Sequence, residues 1–284
     1  MVEENGNAPQ IQLMTGAELE QYQLHRRFDR MGRLIGDEKI RRLMDSYVTI
    51  VGMGGVGSWA AEAVVRAGVG HVAVVDFDEI CVTNSNRQLH AMAGQIGRKK
   101  AEVMAERLRL INPQAEIVLH PEFYNDKTAD SLLARKPDFL IDSIDNITAK
   151  CHLIARCKRD GIPLVCATGS GGRLDPTRVQ VKDLSETEID PLARSIRRIL
   201  RQQYGFPEVG SFGVPAVFSA EPVIQPKELT YDEGKGFRCV CPHGNNGLHS
   251  CEDRNLIMGN ACFVTGTFGF VCASVAIQWL IKID

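Results

Sequence analysis

The sequence predicts an α/β fold, a mostly parallel sheet with helices on both faces, and three observations predict it. Short apolar, β-branched runs alternate with stretches of helical spacing from residue 47 to residue 167, the pattern that parallel strands joined by crossover helices produce. The first run opens at once into Gly52-Met-Gly-Gly-Val-Gly57 and an alanine-rich segment, which reads as strand, glycine turn and helix. The chain has 284 residues, 44% hydrophobic and 24% charged, which suits a globular core and excludes disordered and fibrous classes.

Taken in order, residues 1–15 read as a flexible polar tail, and helical patterning runs from Leu19 to Met44 with interruptions at Gly32 and Gly36. Tyr47–Val51 is the first strand, the following helix ends at Gly68, and His71–Val75 is the second strand, closing on Asp76. Ile96–Ile111 places Ala101, Met104, Leu108 and Ile111 on one helical face, and Pro113 stops it. Ala115–Leu119, Phe139–Ile141 and Pro163–Ala167 are further strands, with helices expected over Thr128–Arg135 and Ile147–Arg159. Arg178–Val181 alternates like an edge strand and Leu192–Tyr204 is a basic helix. Residues 205–260 are rich in Gly, Pro and Cys without a clear period and are expected as a long loop region. From Asn255 to Ile281 no residue is charged. That length could span a bilayer, but Thr265, Thr267, Ser274 and Gln278 favour a buried core helix, and no membrane contact is expected.

Lys and Arg number 33 against 35 Asp and Glu, a net charge of -2, so nucleic-acid binding would need a local basic patch. Nine cysteines without a secretory leader point to reduced thiols and a cytoplasmic setting.

Gly52, Gly54 and Gly57 form a G-x-G-x-x-G at a strand-to-helix turn, and Asp76 ends the next strand. Such glycines let backbone N–H groups approach a phosphate at a helix N-terminus, while the acid can accept ribose hydroxyls. The motif does not choose the nucleotide. A nicotinamide dinucleotide needs few cations beyond that acid, whereas a triphosphate cleaved in place needs several. Asp78, Asn84, Asn86, Arg87, Lys99 and Lys100 follow, and Asp145-Asn146 lies past the fourth strand.

Arg27-Phe-Asp-Arg30, GMGGVGSWAAEAVVRAGVGHVAVVDFD, Asn84 with Arg87, GRKK and IDSIDN together resemble the ubiquitin-activating-enzyme-like adenylating family, also called the ThiF/MoeB family, over about residues 20–170. The resemblance implies a Rossmann-like ThiF/MoeB-type sheet with a loop-rich C-terminal extension. Residues 16–284 would then be one ATP-binding adenylating domain, with a nucleotide core over 47–170, a substrate and crossover-loop region over 171–262 and a buried helix over 263–281. It implies that Gly52, Gly54, Gly55 and Gly57 underlie the ATP phosphates and that Asp76 holds the ribose. Asn84, Arg87 and Lys100 would contact phosphates, Asp145 would hold Mg²⁺, and Arg30 would reach the ATP of a partner subunit in a homodimer. The catalytic set is accordingly Arg30, Arg87, Lys100 and Asp145. KDLSETEIDPLARSIRRILR, the C-terminal apolar segment and the lack of paired CxxC ligands are similar to a branch that dehydrates threonylcarbamoyladenosine in tRNA by adenylating its carboxylate. The alternatives are adenylation of a sulfur-carrier protein, a non-catalytic partner subunit that binds tRNA or protein, and a nicotinamide dehydrogenase.

Arg194, Arg197, Arg198 and Arg201 share one helical face with no carboxylate between Asp190 and Glu208. That imbalance favours RNA phosphates over a merely solvated face. In the loop region Cys239, Cys241 and Cys251 lack standard zinc spacing. Cys241 is the candidate reactive thiol, with a non-catalytic thiol as the alternative, and His243 and His249 nearby make a weak metal set. Cys81, Cys151, Cys157, Cys166, Cys262 and Cys272 read as packing residues. The turn Gly169-Ser-Gly-Gly172 offers carbonyls to substrate or to a monovalent cation, Na⁺ or K⁺. The family resemblance also suggests a cysteine desulfurase or sulfur-acceptor system as a partner.

Overall fold

The computed structural model of the chain describes residues 15–229 and 257–282. Residues 1–14, the cysteines at 239, 241 and 251, and the histidines at 243 and 249 lie outside the described residues. The elements are, in order, helices α1 (Gly16–Arg27), α2 (Asp29–Ile35) and α3 (Asp37–Asp45), strand β1 (Tyr47–Val51), α4 (Gly57–Arg66), β2 (His71–Val75), α5 (Lys100–Ile111), β3 (Glu116–His120), α6 (Ala129–Leu132), β4 (Phe139–Asp142), α7 (Ile147–Asp160), β5 (Leu164–Ala167), β6 (Val179–Asp183), α8 (Pro191–Tyr204), β7 (Pro215–Ser219) and α9 (Cys262–Leu280).

The strands form one seven-stranded sheet in the order β3-β2-β1-β4-β5-β7-β6. All neighbours are parallel except β6 with β7. β1 and β2 run in register from Tyr47↔His71 to Val51↔Val75, and β4 ends against β5 at Asp142↔Cys166. The order steps outward from β1 in both directions, so the loops after β1 and β4 diverge at the C-terminal edge and leave a crevice between them.

Burial on both faces explains why the central strands read as continuous apolar runs. Val48 and Ile50 join one core cluster with Val64 of α4, Met104 of α5 and Phe268 of α9, while Val51 joins the other with Ile154 of α7 and Ile196 of α8. α9 is apolar and long enough to cross a membrane by length and composition alone. It packs instead in the first core, and Gly269 lets it lie on α4, since a Cβ there would come within 2.5 Å of the Val56 carbonyl oxygen.

Four expectations differ from the structure. Gly36, at φ 87°, breaks the N-terminal helical run, but Gly32 lies within α2 and the other break falls at Phe28, whose buried ring lies under Gly68. Residues 96–99 are not helical because Arg98 and Asp78 carbonyls accept from Ile80 and Lys100 N–H groups, pairing that segment with 78–80. The helix expected over 128–135 is confined to α6. Within the segment expected as loop, Pro215–Ser219 forms β7, inserted between β5 and the edge strand β6. It begins with proline and is buried almost throughout, so it lacks the alternation that marks a half-buried strand, and the proline reads as loop punctuation.

Candidate functional site

The loop after β1 turns inside a very small space. Gly52 has φ 94°, and a Cβ on Gly57 would lie 1.7 Å from the Gly52 carbonyl oxygen, so neither position admits a side chain. Ser143, just past β4, donates its hydroxyl towards the Val51 and Gly52 carbonyls at 2.9 and 2.7 Å. A Cβ on Gly55 would come within 3.2 Å of the Arg87 and Thr265 side chains, whereas one on Gly54 would meet nothing within 4 Å. The open side of the loop is therefore at Gly54, above the N-terminus of α4, which has no side-chain cap and no acidic residue in its first turn. An uncapped helix N-terminus beside open space fits an anion.

Asp76, at the end of β2, is buried and first organises this loop. Its carboxylate accepts the Met53 N–H at 2.6 Å and the Asp78 N–H at 2.8 Å. Burial raises its pKa, and the Lys100 ammonium opposes that. Lys100 opens α5 and is itself buried, with Nζ 2.7 Å from Asp78 Oδ2. Burial alone would lower its pKa, but Asp76, Asp78 and Asp145 hold it above the ordinary lysine value. The cation is thereby kept charged at the crevice, where Asp145 stands exposed three residues beyond β4.

Asn84 ends a short 3₁₀ turn and accepts the Cys81 N–H at 3.0 Å. Arg87 donates to the Thr83 carbonyl and to Asn86 Oδ1 at 2.9 and 3.0 Å, and its own carbonyl accepts the Trp59 indole N–H. Asn86 in turn donates to the Asn260 carbonyl at 3.0 Å, tying the segment before α9 to this turn. The structure thus brings together the glycine loop, Asp76, Asn84, Arg87, Lys100 and Asp145 around one crevice.

Arg30 is not among them. It is exposed on α2, two residues after Phe28, whose ring packs under Gly68 at the end of α4 remote from the glycine loop. Ten residues of α4, about 15 Å at helical rise, separate the two.

On α8, Arg194 and Arg198 are exposed, and among the described residues neither has an ion pair. Arg197 donates to the Thr187 carbonyl at 2.8 Å. Arg201 lies 5.1 Å over the Phe212 ring and 3.9 Å from Glu208. The four line one groove of about 260 Å³ with Gln202 and Glu208. Burial, then Arg201 and Arg194, lower the Arg197 pKa against the opposing pull of Asp190, as expected where guanidinium groups crowd together.

Cys151, Cys157, Cys166 and Cys272 are buried packing residues, and burial pushes the Cys151 thiol up to about 11 and those of Cys157 and Cys272 to about 12. Among the described residues no three His, Cys, Asp or Glu side chains cluster as a metal site. A single carboxylate such as Asp145 suits Mg²⁺, which takes most of its other ligands from phosphates and water.

Three residues of this region receive no role from the sequence alone. His90 is fully buried with neither ring nitrogen hydrogen-bonded. Arg173 and Asp190 are buried together behind the turn after β5. Of these only Asp190 had a local signal, an Asp-Pro helix start.

The family model for the ThiF family matches residues 28–284. The chain belongs to the ThiF family. It is 40% identical over 258 residues to the tRNA threonylcarbamoyladenosine dehydratase of Haemophilus influenzae, covering 90% of this chain and 94% of that protein. Identity is also 40% to the Escherichia coli protein of the same name over 254 residues, 89% of this chain and 92% of that one. The crystal structure of the E. coli dehydratase, TcdA, in complex with ATP superposes with TM-score 0.78 at 36% identity, covering 95% of this chain and 97% of the other.

The buried histidine yields a pH prediction. Burial, then the Lys100 charge, depress the His90 pKa from 6.5 to about 3, so below pH 6.5 the unfolded chain takes up a proton that the folded chain refuses. Stability should fall as pH drops from about 6.5 towards 3, with a His90 contribution approaching 1.4 kcal/mol per pH unit. Urea melts across that range should show a shallower slope in His90→Leu, and identical slopes in both proteins would exclude His90 as the source.

Proposed function

We propose that this chain is an ATP-dependent tRNA threonylcarbamoyladenosine dehydratase. The observation that carries this reading is the open, uncapped glycine loop faced by a buried, charged Lys100 and an exposed Asp145. Similarity over nine-tenths of the chain to proteins named for that activity supports it. ATP lies with its phosphates over Gly54 and Gly55 and its ribose towards Asp76. The threonyl carboxylate attacks the α-phosphorus and pyrophosphate leaves; the neighbouring ureido group then attacks the activated acyl carbon, AMP departs and the ureido proton is released, closing a ring with net loss of water. The reacting atoms of the second step are already tethered, so positioning contributes much of its rate and no protein nucleophile is needed.

Lys100 and Arg87 offset the negative charge that grows on the phosphoryl oxygens as two anions meet. Asp145 would hold Mg²⁺, which would supply further neutralisation of the phosphates. A monovalent cation would meet a turn in which the Gly169 and Gly171 carbonyls already accept from Arg173, and the reading assigns it no step. Arg194 and Arg198 engage RNA backbone phosphates. The protein acts in the cytoplasm. Among the described residues none requires a sulfur-transfer partner, and Cys241 lies outside them.

The direct test is AMP release from ATP with tRNA carrying threonylcarbamoyladenosine, set against a ubiquitin-like carrier. Pyrophosphate released with the carrier, and neither pyrophosphate nor AMP with the tRNA, would transfer the chain to the sulfur-carrier adenylyltransferases, because a carrier adenylate keeps its AMP until a sulfur nucleophile displaces it.

Because Arg30 is remote from its own crevice, the reading requires a homodimer in which Arg30 serves the partner's site. Arg30→Ala and Asp145→Ala should each be inactive, and exchanging subunits between them should restore up to about a quarter of parental activity, the statistical share of intact sites. Absence of recovery after demonstrated exchange would remove Arg30 from the reaction.

Arg194 and Arg198 make the cleaner RNA test, since Arg197 and Arg201 also support their own chain. Arg194→Ala with Arg198→Ala should weaken tRNA binding, reduce the slope of log affinity against log salt by about 0.7 to 0.9 for each phosphate no longer neutralised, and leave ATP affinity unchanged. A retained salt slope in filter-binding titrations would move the RNA site elsewhere.

A further inference from the structure

Behind the turn that follows β5 lies a closed polar cluster that the adenylation chemistry does not use. Asp190 is 1% exposed. Its Oδ1 accepts the Ala193 N–H at 2.9 Å and so caps α8, while Oδ2 accepts the Gly169 N–H at 2.8 Å. The Thr168 hydroxyl lies 2.7 Å from Oδ2 and 3.0 Å from the Val217 carbonyl, and with one proton to give it favours the charged acceptor. Arg173, also buried, donates Nη1 to the Gly169 and Gly171 carbonyls and brings Nη2 to 3.7 Å from Oδ2. Its Nε and Nη2 have no hydrogen-bond partner.

One carboxylate therefore holds both the start of α8 and the turn over residues 169–172. That turn leaves the sheet beside the Asp145 loop, because Asp142 and Cys166 are register partners and Asp145 and Gly169 each follow by three residues. The far side of the cluster is strained. Ile189 has φ 64°, a conformation that a β-branched residue keeps only where neighbours impose it. The neighbours are Asp190 itself and Arg197, whose guanidinium grips Thr187 two residues earlier.

We propose that Asp190 is a positioning residue that transmits the placement of α8 to the turn at 169–172, so that RNA held by α8 sets that turn against the reacting carboxylate. The proposal rests on the tRNA reading above. Arg173 is the counter-charge beside the Asp190 carboxylate, and it holds both turn carbonyls directed inward. A helix cap alone needs only Oδ1, and serine caps as well as aspartate. What the cap does not explain is the second oxygen, committed to Thr168 and Gly169, and an arginine buried with unused donors.

The experiment separates the two roles. Asp190→Ser combined with Arg173→Gln keeps a capping oxygen on α8, is too short to reach the turn, and leaves no buried charge unpaired. Thr168→Val is a milder second variant that removes one bond and preserves the cap. Amide hydrogen exchange over residues 168–173 should quicken at least tenfold in the double variant. The kcat for AMP release on tRNA carrying threonylcarbamoyladenosine should fall by about tenfold or more, with ATP affinity and the exchange of α8 unchanged, and Thr168→Val should move both readouts less in the same direction. Exchange at the turn within twofold of the parent would overturn the proposal, as would faster exchange with unchanged kcat. If the parent itself releases no AMP with this tRNA, the functional reading fails, and the exchange result still decides whether Asp190 fixes the turn.

Discussion

The C-terminal edge of the sheet depends on how closely the backbone after β1 passes itself and the chain leaving β4. With a Cβ on Gly57 only 1.7 Å from the Gly52 carbonyl and one on Gly52 2.8 Å from that of Ser143, the loop has room for one path. Three further groups hold it there: the Ser143 hydroxyl on two carbonyls, the Asp76 carboxylate on the Met53 N–H, and the Val75 carbonyl on the Gly52 N–H. These groups come from β2 and from the ends of β2 and β4, and they close on the chain leaving β1. The loop is thus shaped before any phosphate arrives, which spares binding the cost of ordering it.

The same edge holds two buried lysines in different roles. Lys150 and Asp142 are both fully enclosed at 2.8 Å, and burial and partner act on each in opposite directions. A pair of this kind contributes less to net stability than to fixing one arrangement, since removing either member strands a charge in a dry interior. It anchors α7 beneath the end of β4, just before the loop that carries Asp145. Lys100 lies at the crevice, beside carboxylates from two loops, and its charge is held ready for anionic oxygens. One lysine fixes the scaffold, and the other faces the chemistry that the scaffold positions.

α9 shows how composition and packing can point apart. Its residues satisfy the length and hydropathy of a membrane span, yet Gly266 and Gly269 bring it onto Trp59 and the α4 backbone, and Val264, Phe268, Cys272 and Ala276 are core residues. Thr265 closes the back of Gly55, so the helix also buttresses the nucleotide loop.

Much of this protein was legible in its sequence. The alternation of apolar runs and helical spacing dictated a parallel sheet covered on both faces, because only strands buried on two sides lack polar alternation. The glycine spacing and Asp76 located the nucleotide end of the sheet, because turn geometry and helix N-termini are local properties. β7 escaped, because four buried residues between Pro215 and a polar turn carry no period of their own and become a strand only by pairing with β5 and β6. The second task of Asp76 on Met53, the remoteness of Arg30, the division of α8 into outward and inward arginines, and the joining of Asp190 to Gly169 across 21 residues were decided by tertiary structure alone. Each is a meeting of segments distant in the chain, and no local spacing encodes which carboxylate a distant N–H will find.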